Sequence, residues 1–220
     1  MDVTRWMVYT EVAGKKDYKH WPWVSITNDT CIYLLEPTRS AEVPKNLLGY
    51  NTDRYSAYKT LGKMVQISFC WAHIRRDFIR IRDGYKSLKK WADRWTVRFN
   101  TLFDLNAQRL EHPTGSEVFQ KRDQLLLQQI DKIEQAKDKR LNQKTLHRVQ
   151  KKAFESLYNY WSGAILFVDH PEIPMDNNES ERRLRNPVIG RKNYCGSGSL
   201  WCCDWHLLGR HEKCLGGFWI

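Results

Sequence analysis

The chain has 220 residues, of which 41% are hydrophobic and 28% charged, with 36 Lys and Arg against 25 Asp and Glu. That balance excludes a disordered or low-complexity chain, and the length suffices for one full core, or one core plus an inserted helical segment. No apolar stretch approaches the roughly 18 residues of a membrane span, and the opening M-D-V-T-R-W lacks the charged-then-apolar order of a secretory signal. The formal charge of +11 favours a polyanionic partner, most often nucleic acid, over an excess that only aids solubility. The six cysteines, Cys31, Cys70, Cys195, Cys202, Cys203 and Cys214, are scattered. They read as reduced thiols of a cytoplasmic protein. Cys195 to Cys214 also holds His206 and His211, but the spacing gives no C-x-x-C pair, and zinc is disfavoured.

The first third reads as strands. Trp6, Val8 and Thr10 alternate with Met7 and Tyr9, and Gly14-Lys15-Lys16-Asp17 looks like a turn. Trp21 to Thr27 is rich in β-branched and aromatic residues; Asn28-Asp29 follows, and Cys31 to Leu35 continues as apolar. These runs predict an antiparallel meander of three strands. Pro22 is placed near the start of its run, where a missing N–H is tolerated.

The pattern then changes. Ser40 to Leu48 is a connection with a short helix broken at Pro44, and a short strand runs through Gly49 to Asp53. Tyr55, Tyr58 and Leu61 have helical spacing, with Gly62 as the stop. Val65, Ile67 and Phe69 alternate as a strand, and a helix begins near Ala72 and passes Phe78. The sum is an α/β chain with a mixed sheet. Asp83 to Phe167 is long, charged and helical in period, with an apolar stripe at Leu126, Ile130, Ile133 and Leu141. Trp91, Trp95, Phe99 and Phe103 recur every four residues. Core packing is preferred for that face over base stacking. His112-Pro113-Thr114-Gly115 is the one clear loop. Asp176 opens a further helix, with Asp176 and Glu179 as its D-x-x-E cap, and Pro187 should end it at about Asn186. After Gly196-Ser197-Gly198-Ser199 the tail has little periodicity.

Three constellations carry chemistry. Asp53 falls at the end of a strand, where α/β sheets place ligand crevices; a helix N-cap is an equal reading. Glu181 can pair with Arg185 one turn on. It also stands beside a basic run of Arg182, Arg183, Arg185, Arg191 and Lys192, as where a metal and a phosphate meet. His73, Arg75 and Arg76 lie at a strand-to-helix junction suited to phosphate. A buried His with Arg on a solvated helix face is the competing reading.

Several strings occur together: D-R-Y-S-A-Y at Asp53 to Tyr58, C-W-A-H-I-R-R-D-F at Cys70 to Phe78, D-N-N-E-S-E-R at Asp176 to Arg182, and G-R-K-N at Gly190 to Asn193. With M-D-V-T-R-W at the start and P-T-R-S at Pro37 to Ser40, they resemble the DDE transposases of insertion sequence 66, in that family's order and over about residues 2 to 200. The resemblance implies a ribonuclease-H-like mixed sheet with an inserted helical region. Residues 1–82 would be the first part of the catalytic core, 83–168 the insertion, 169–200 the last part of the core with the Glu-bearing helix, and 201–220 a divergent tail.

The resemblance also implies a catalytic and metal-binding set of Asp2, Asp53 and Glu181, with two Mg²⁺ (or Mn²⁺) ions. Hard cations take oxygen ligands, and two of them can stabilise the attacking and leaving oxygens of a phosphodiester. Asp53 would bridge the ions, with Asp2 and Glu181 holding one each; water, and later a DNA 3′-OH, would attack in line. His73, Arg75, Arg76, Arg182, Arg185, Arg191 and Lys192 would position DNA phosphates, which raises affinity without reading sequence. The implied partners are element ends and target DNA, a second copy of the chain, and accessory proteins of the element. No membrane is implied, and the implied setting is the bacterial nucleoid. The chain departs from the family at Val3, where the family has a non-catalytic Glu, and at its two ends. It begins one residue before Asp2, whereas larger members carry a preceding region, and after Leu200 the stretch W-C-C-D-W-H-L-L-G-R reads like a shifted frame. The expectations are therefore a transposase domain that cuts and joins DNA, or a truncated, non-catalytic remnant that binds DNA without sequence preference.

Overall fold

The computed structural model describes residues 2–8, 18–26, 31–40, 43, 51–52, 67–141, 145–185 and 188–189. The chain divides into two compact units. One comprises Met1–Gln66 with Asn177–Ile220, the other Ile67–Asp176. Among the described residues, no helix is long and apolar enough to cross a membrane. The expectations at Gly14 to Asp17, Asn28-Asp29, Pro44, Tyr55 to Gly62 and the tail after Ser199 lie outside the described residues.

The first unit contains the expected antiparallel meander. Its strands are β1 (Asp2–Val3), β2 (Trp6–Val8), β3 (Tyr18–Ile26) and β4 (Cys31–Glu36). β3 is central, with β1 and β2 along one edge and β4 along the other. β1 and β2 hold one register against β3: Asp2 pairs with Val24, Val3 with Trp23, and Trp6 with His20. The interruption at Thr4-Arg5 has a cause in β3. Pro22 is the fifth residue of a nine-residue central strand, not near its start as the sequence suggested. The Thr4 N–H donates to the Pro22 carbonyl at 3.1 Å, but proline has no N–H to return the bond. One ladder bond is therefore missing opposite the gap, and the edge strand divides there without slipping. β3 is covered on both faces over this stretch, since Trp23, Val24 and Ser25 in succession are buried. Trp6 and Trp23 are wholly inaccessible to solvent and anchor this core. β5 (Asn51–Thr52) and α6 (Asn178–Arg183) also belong to this unit. The sheet formed by β1 to β4 is antiparallel throughout; the parallel strand that a mixed sheet requires is not among them.

The second unit opens with β6 (Ser68–Phe69) and continues with α1 (Trp71–Gly84), α2 (Lys89–Leu110), α3 (Glu117–Leu141), α4 (Arg148–Ala164) and α5 (Leu166–Asp169). α1 packs on α2 and α4, and α3 packs on the same two helices. With short connections between successive helices, this is a closed up-and-down four-helix arrangement. The aromatic repeat of α2 is core, as expected: Trp91, Trp95 and Phe99 are buried, and Phe78 of α1 lies 5.5 Å from Trp91 and 4.9 Å from Phe99, centroid to centroid. The stripe at Leu126, Ile130 and Ile133 is also buried.

Two breaks in this helical stretch carried no clear sequence signal. Tyr85 takes an extended conformation after α1, followed by a 3₁₀ turn at Lys86–Leu88. The start of α4 is closed by His147, whose Nδ1 accepts from the Val149 N–H while Gln150 Oε1 accepts from the His147 N–H. Histidine is not among the usual N-cap residues. The loop at His112 to Gly115 is where it was expected, with Gly115 at φ +86°. Ser116 caps α3 through the Phe119 N–H at 3.2 Å.

Candidate nucleic-acid and metal site

Asp2 and Glu181 come from the two ends of the first unit's sequence. Asp2 lies in β1, in the cross-strand row Asp2–Val24–Tyr33 defined by the two registers of β3. Glu181 lies on α6, which packs against β3. The Tyr33 hydroxyl donates to the Arg183 carbonyl at 3.4 Å. The helix that carries Glu181 is therefore tied by its last residue to the row that contains Asp2. Glu181 itself is half-buried, and its N–H donates to the Asn177 carbonyl at 3.0 Å. Asp53 follows β5 directly and lies outside the described residues, as do Arg191 and Lys192. Among the described residues, no three His, Cys, Asp or Glu side chains form a group that could hold a metal. The donor set Asp2, Asp53 and Glu181 is all carboxylate, which suits a hard divalent cation.

α6 begins differently from the expected cap. Asn177, not Asp176, is the N-cap, and it makes no side-chain capping bond. Glu179 does not reach back to the N-terminus. It accepts from Arg182 at 2.6 Å and from Arg183 at 3.0 Å. Two guanidiniums within one turn offer this carboxylate charge-assisted bonds, which are stronger than a bond to a neutral backbone N–H. Arg182 thus shares its charge with Glu179 while staying exposed, and Arg185 is exposed on the turn that follows.

His73, Arg75 and Arg76 belong to the other unit, at the β6-to-α1 junction where they were expected. The N-terminus of α1 is closed by main chain: the Trp71 N–H donates to the Met175 carbonyl at 2.9 Å. The Trp71 indole donates to the Ala164 carbonyl at 2.6 Å. Cys70, Trp71 and Ala72 of the C-W-A-H string are buried and hold the core, whereas His73, Arg75 and Arg76 are only partly covered. Arg75 donates to Asn100 Oδ1 at 3.0 Å and its guanidinium lies 4.9 Å from the Phe103 ring centroid. Part of its capacity is spent on α2.

A further group of cations was not singled out from the sequence. A trough of about 360 Å³ on the α2 and α3 surface is lined by Arg98, Gln129, Lys132, Gln135, Ala136 and Lys139. Arg98 lies over the Trp95 ring at 4.8 Å, and its carbonyl accepts from Gln129 Nε2 at 2.9 Å. Burial, then the nearby charges of Arg94 and Arg140, lower the Arg98 pKa from its ordinary value. In sequence these residues are dispersed through two densely charged helices. The available signal was spacing alone: Arg94 and Arg98 one turn apart, Lys132 and Lys139 two turns apart.

No solved structure matches the chain. Two curated proteins of Sinorhizobium fredii (strain NBRC 101917 / NGR234) are similar to it. The uncharacterized protein y4jD is 24% identical over 195 residues, covering 81% of this chain and 37% of its own length. The uncharacterized protein y4hP is 24% identical over 201 residues, covering 81% of this chain and 36% of its own. The chain therefore spans little more than a third of these relatives. The family model described as Transposase IS66 family matches residues 1–204, a span that contains every candidate acidic and basic residue named above, and the chain belongs to that family.

Proposed function

We propose that this chain is the catalytic part of a DNA transposase, performing metal-dependent strand cleavage and strand transfer for an insertion sequence, on a ribonuclease-H-like framework. The observation that carries the reading is the family match over residues 1–204, together with the docking of the Glu181 helix on the sheet row of Asp2. A meander whose first strand carries an acid, with a late helix returning a second acid to the same sheet, is what a carboxylate site of this kind needs.

Asp2, Asp53 and Glu181 would hold Mg²⁺ or Mn²⁺, and two bound ions supply electrostatic stabilisation of the attacking and leaving oxygens of a phosphodiester. The chain's own contribution is to fix three oxygen donors and surround them with cations. Arg182 and Arg185 on and after α6, with Arg191 and Lys192 beyond, would hold the phosphates of the scissile strand near the carboxylates. His73, Arg75 and Arg76 would contact DNA phosphates as well. These contacts set position, not sequence. The partners are element ends and target DNA in the bacterial cytoplasm, with a second copy of the chain and accessory proteins of the element completing the assembly.

The test is cleavage of a duplex carrying the element's own ends, with Mg²⁺ or Mn²⁺, by the wild-type chain and by Asp53→Asn and Glu181→Gln. Loss of cleavage in both variants, with melting curves unchanged, is expected. Cleavage that persists in both would overturn the carboxylate assignment. Wild-type protein that binds DNA without cutting it under any metal would leave a DNA-binding remnant as the function.

A further inference from the structure

The trough on the α2 and α3 surface has the properties of a polyanion site. Lys132, Gln135 and Lys139 are solvent-exposed, so it opens to water and is not an enclosed pocket. Arg98 forms its partly covered wall, fixed from below by the Trp95 ring and by the Gln129 bond to its carbonyl. No carboxylate lines it. The charges acting on Arg98 are Arg94 and Arg140, both positive. Among the described residues, none of Arg98, Lys132 and Lys139 has an ion-pair partner. Unpaired like charges held together repel, and an anion relieves that repulsion.

The dimensions distinguish an extended anion from a single phosphate. Lys132 and Lys139 are seven residues apart on one helix, about 10 Å at 1.5 Å per residue. One phosphate cannot reach both ends of that span, whereas a duplex strand, advancing about 3.4 Å along its axis per phosphate, presents more than one phosphate over it. Arg94 and Arg98 continue the charge one turn along α2, and the exposed Gln135 supplies an amide able to bond phosphate or sugar oxygens.

We infer that the helical unit carries a DNA-backbone site of its own in this trough, with Arg98, Lys132 and Lys139 as the phosphate-contacting residues. The inference rests on the reading of the chain as a DNA-acting protein and adds a surface built from other residues than those assigned there. It assigns the helical segment a role in holding the DNA backbone, without base readout.

The experiment is anisotropy titration of the full chain with a labelled random-sequence duplex across a salt series. The triple variant Arg98→Gln, Lys132→Gln, Lys139→Gln is compared with a control of equal charge, Lys86→Gln, Lys89→Gln, Lys90→Gln, at the exposed 3₁₀ turn and the start of α2. Three lost phosphate contacts should flatten the slope of log K against log salt by about 3. They should also weaken binding roughly a hundredfold at about 0.1 M salt. The control should change the slope by less than about 1. The double variant Lys132→Gln, Lys139→Gln touches only exposed side chains, and should flatten the slope by about 2 even if the Arg98 change disturbs packing. Equal effects of trough and control variants, or an unchanged slope in the double variant, would overturn the site. Cleavage is read separately. Absent cleavage with a trough-dependent slope would fail the transposase reading alone, and intact cleavage with a trough-independent slope would fail this inference alone.

Discussion

Arg109 of α2 and Asp123 of α3 form an ion pair in the helical unit, Nη1 to Oδ1 at 2.5 Å, with the arginine side chain wholly buried. The same guanidinium donates to the Phe167 and Val168 carbonyls at 2.8 and 3.1 Å and to Asn106 Oδ1 at 2.9 Å. The Phe119 and Phe167 rings lie 5.3 and 5.8 Å from it. One cation therefore joins α2, α3 and the short α5. A buried charge is tolerable only when its donors are used, and four of them are used here.

The two partners of this pair should not be equally costly to remove. Arg109→Ala leaves two carbonyls and a carboxylate without their donor, and should cost on the order of 3 kcal/mol or more in urea unfolding. Asp123 is 28% exposed, so water can replace part of what Asp123→Asn removes, and Arg109 keeps its other acceptors. That variant should cost about 1 kcal/mol. Equal destabilisation would mean that the ion pair, not the carbonyl contacts, holds the three helices.

At Gly163, α4 approaches the strand that precedes α1 closely. A Cβ there would collide with the Ile67 carbonyl oxygen and the Phe69 ring. Phe69 is in turn held edge-on by Tyr160 at 4.7 Å, so the ring cannot simply turn away. Gly163→Ala normally gains helix propensity, but overpacking of about 1–3 kcal/mol should win. Thermal melting should show a lower midpoint for Gly163→Ala. A higher midpoint would show that β6 yields freely, and that the glycine is not required for the close contact.

Much of this was legible in the sequence, and the exceptions have physical causes. The meander was readable because β-branched and aromatic runs were separated by short polar segments, and the α2 core face because Trp91, Trp95 and Phe99 keep helical period. Pro22 misled because local rules place proline at strand ends, whereas here one lost ladder bond is confined to the Thr4-Arg5 gap. The D-x-x-E cap failed because Glu179 has two arginines within one turn. The trough at Arg98, Lys132 and Lys139 was not legible, because it depends on which faces of α2 and α3 meet. Asp2 and Glu181 were reached through motif resemblance, and their shared sheet could not be read from spacing across 179 positions.

Asp83 offers a local check on the electrostatics at the end of α1. The side-chain bond from Arg82, at 2.7 Å from Nε to Oδ1, holds the Asp83 carboxyl below its ordinary value, and the Arg82 charge adds to this. A depressed folded pKa means that the ionised form is favoured in the native state. Its contribution is present above the unfolded pKa and is lost as pH falls through the folded one. Solvent screens this pair, so the linked stability change is small and the titration shift is the quantity to read. In carboxyl-detected NMR, Asp83 should titrate below 3.8 in the wild type and move upward in Arg82→Ala. An unmoved midpoint in that variant would remove Arg82 as the cause.

Metal binding can be read without any DNA substrate. A ligand that binds only the native state raises stability by about 2.7 kcal/mol at a concentration of 100 times its Kd. For a protein of this size each kcal/mol moves the melting midpoint by about 2–4 °C. Wild-type protein melted with and without Mn²⁺ should therefore rise by roughly 5–10 °C near saturation. Asp53→Asn should abolish the rise, because it would remove one of the carboxylates proposed to hold the ions. Glu181→Gln should leave a smaller rise, since Asp2 and Asp53 would still provide oxygen donors. The order of the three curves is the informative result. Equal rises in wild type and Asp53→Asn would place metal binding elsewhere on the chain. No rise in the wild type would mean that the three carboxylates do not assemble without DNA, and a repeat in the presence of a duplex should then restore it.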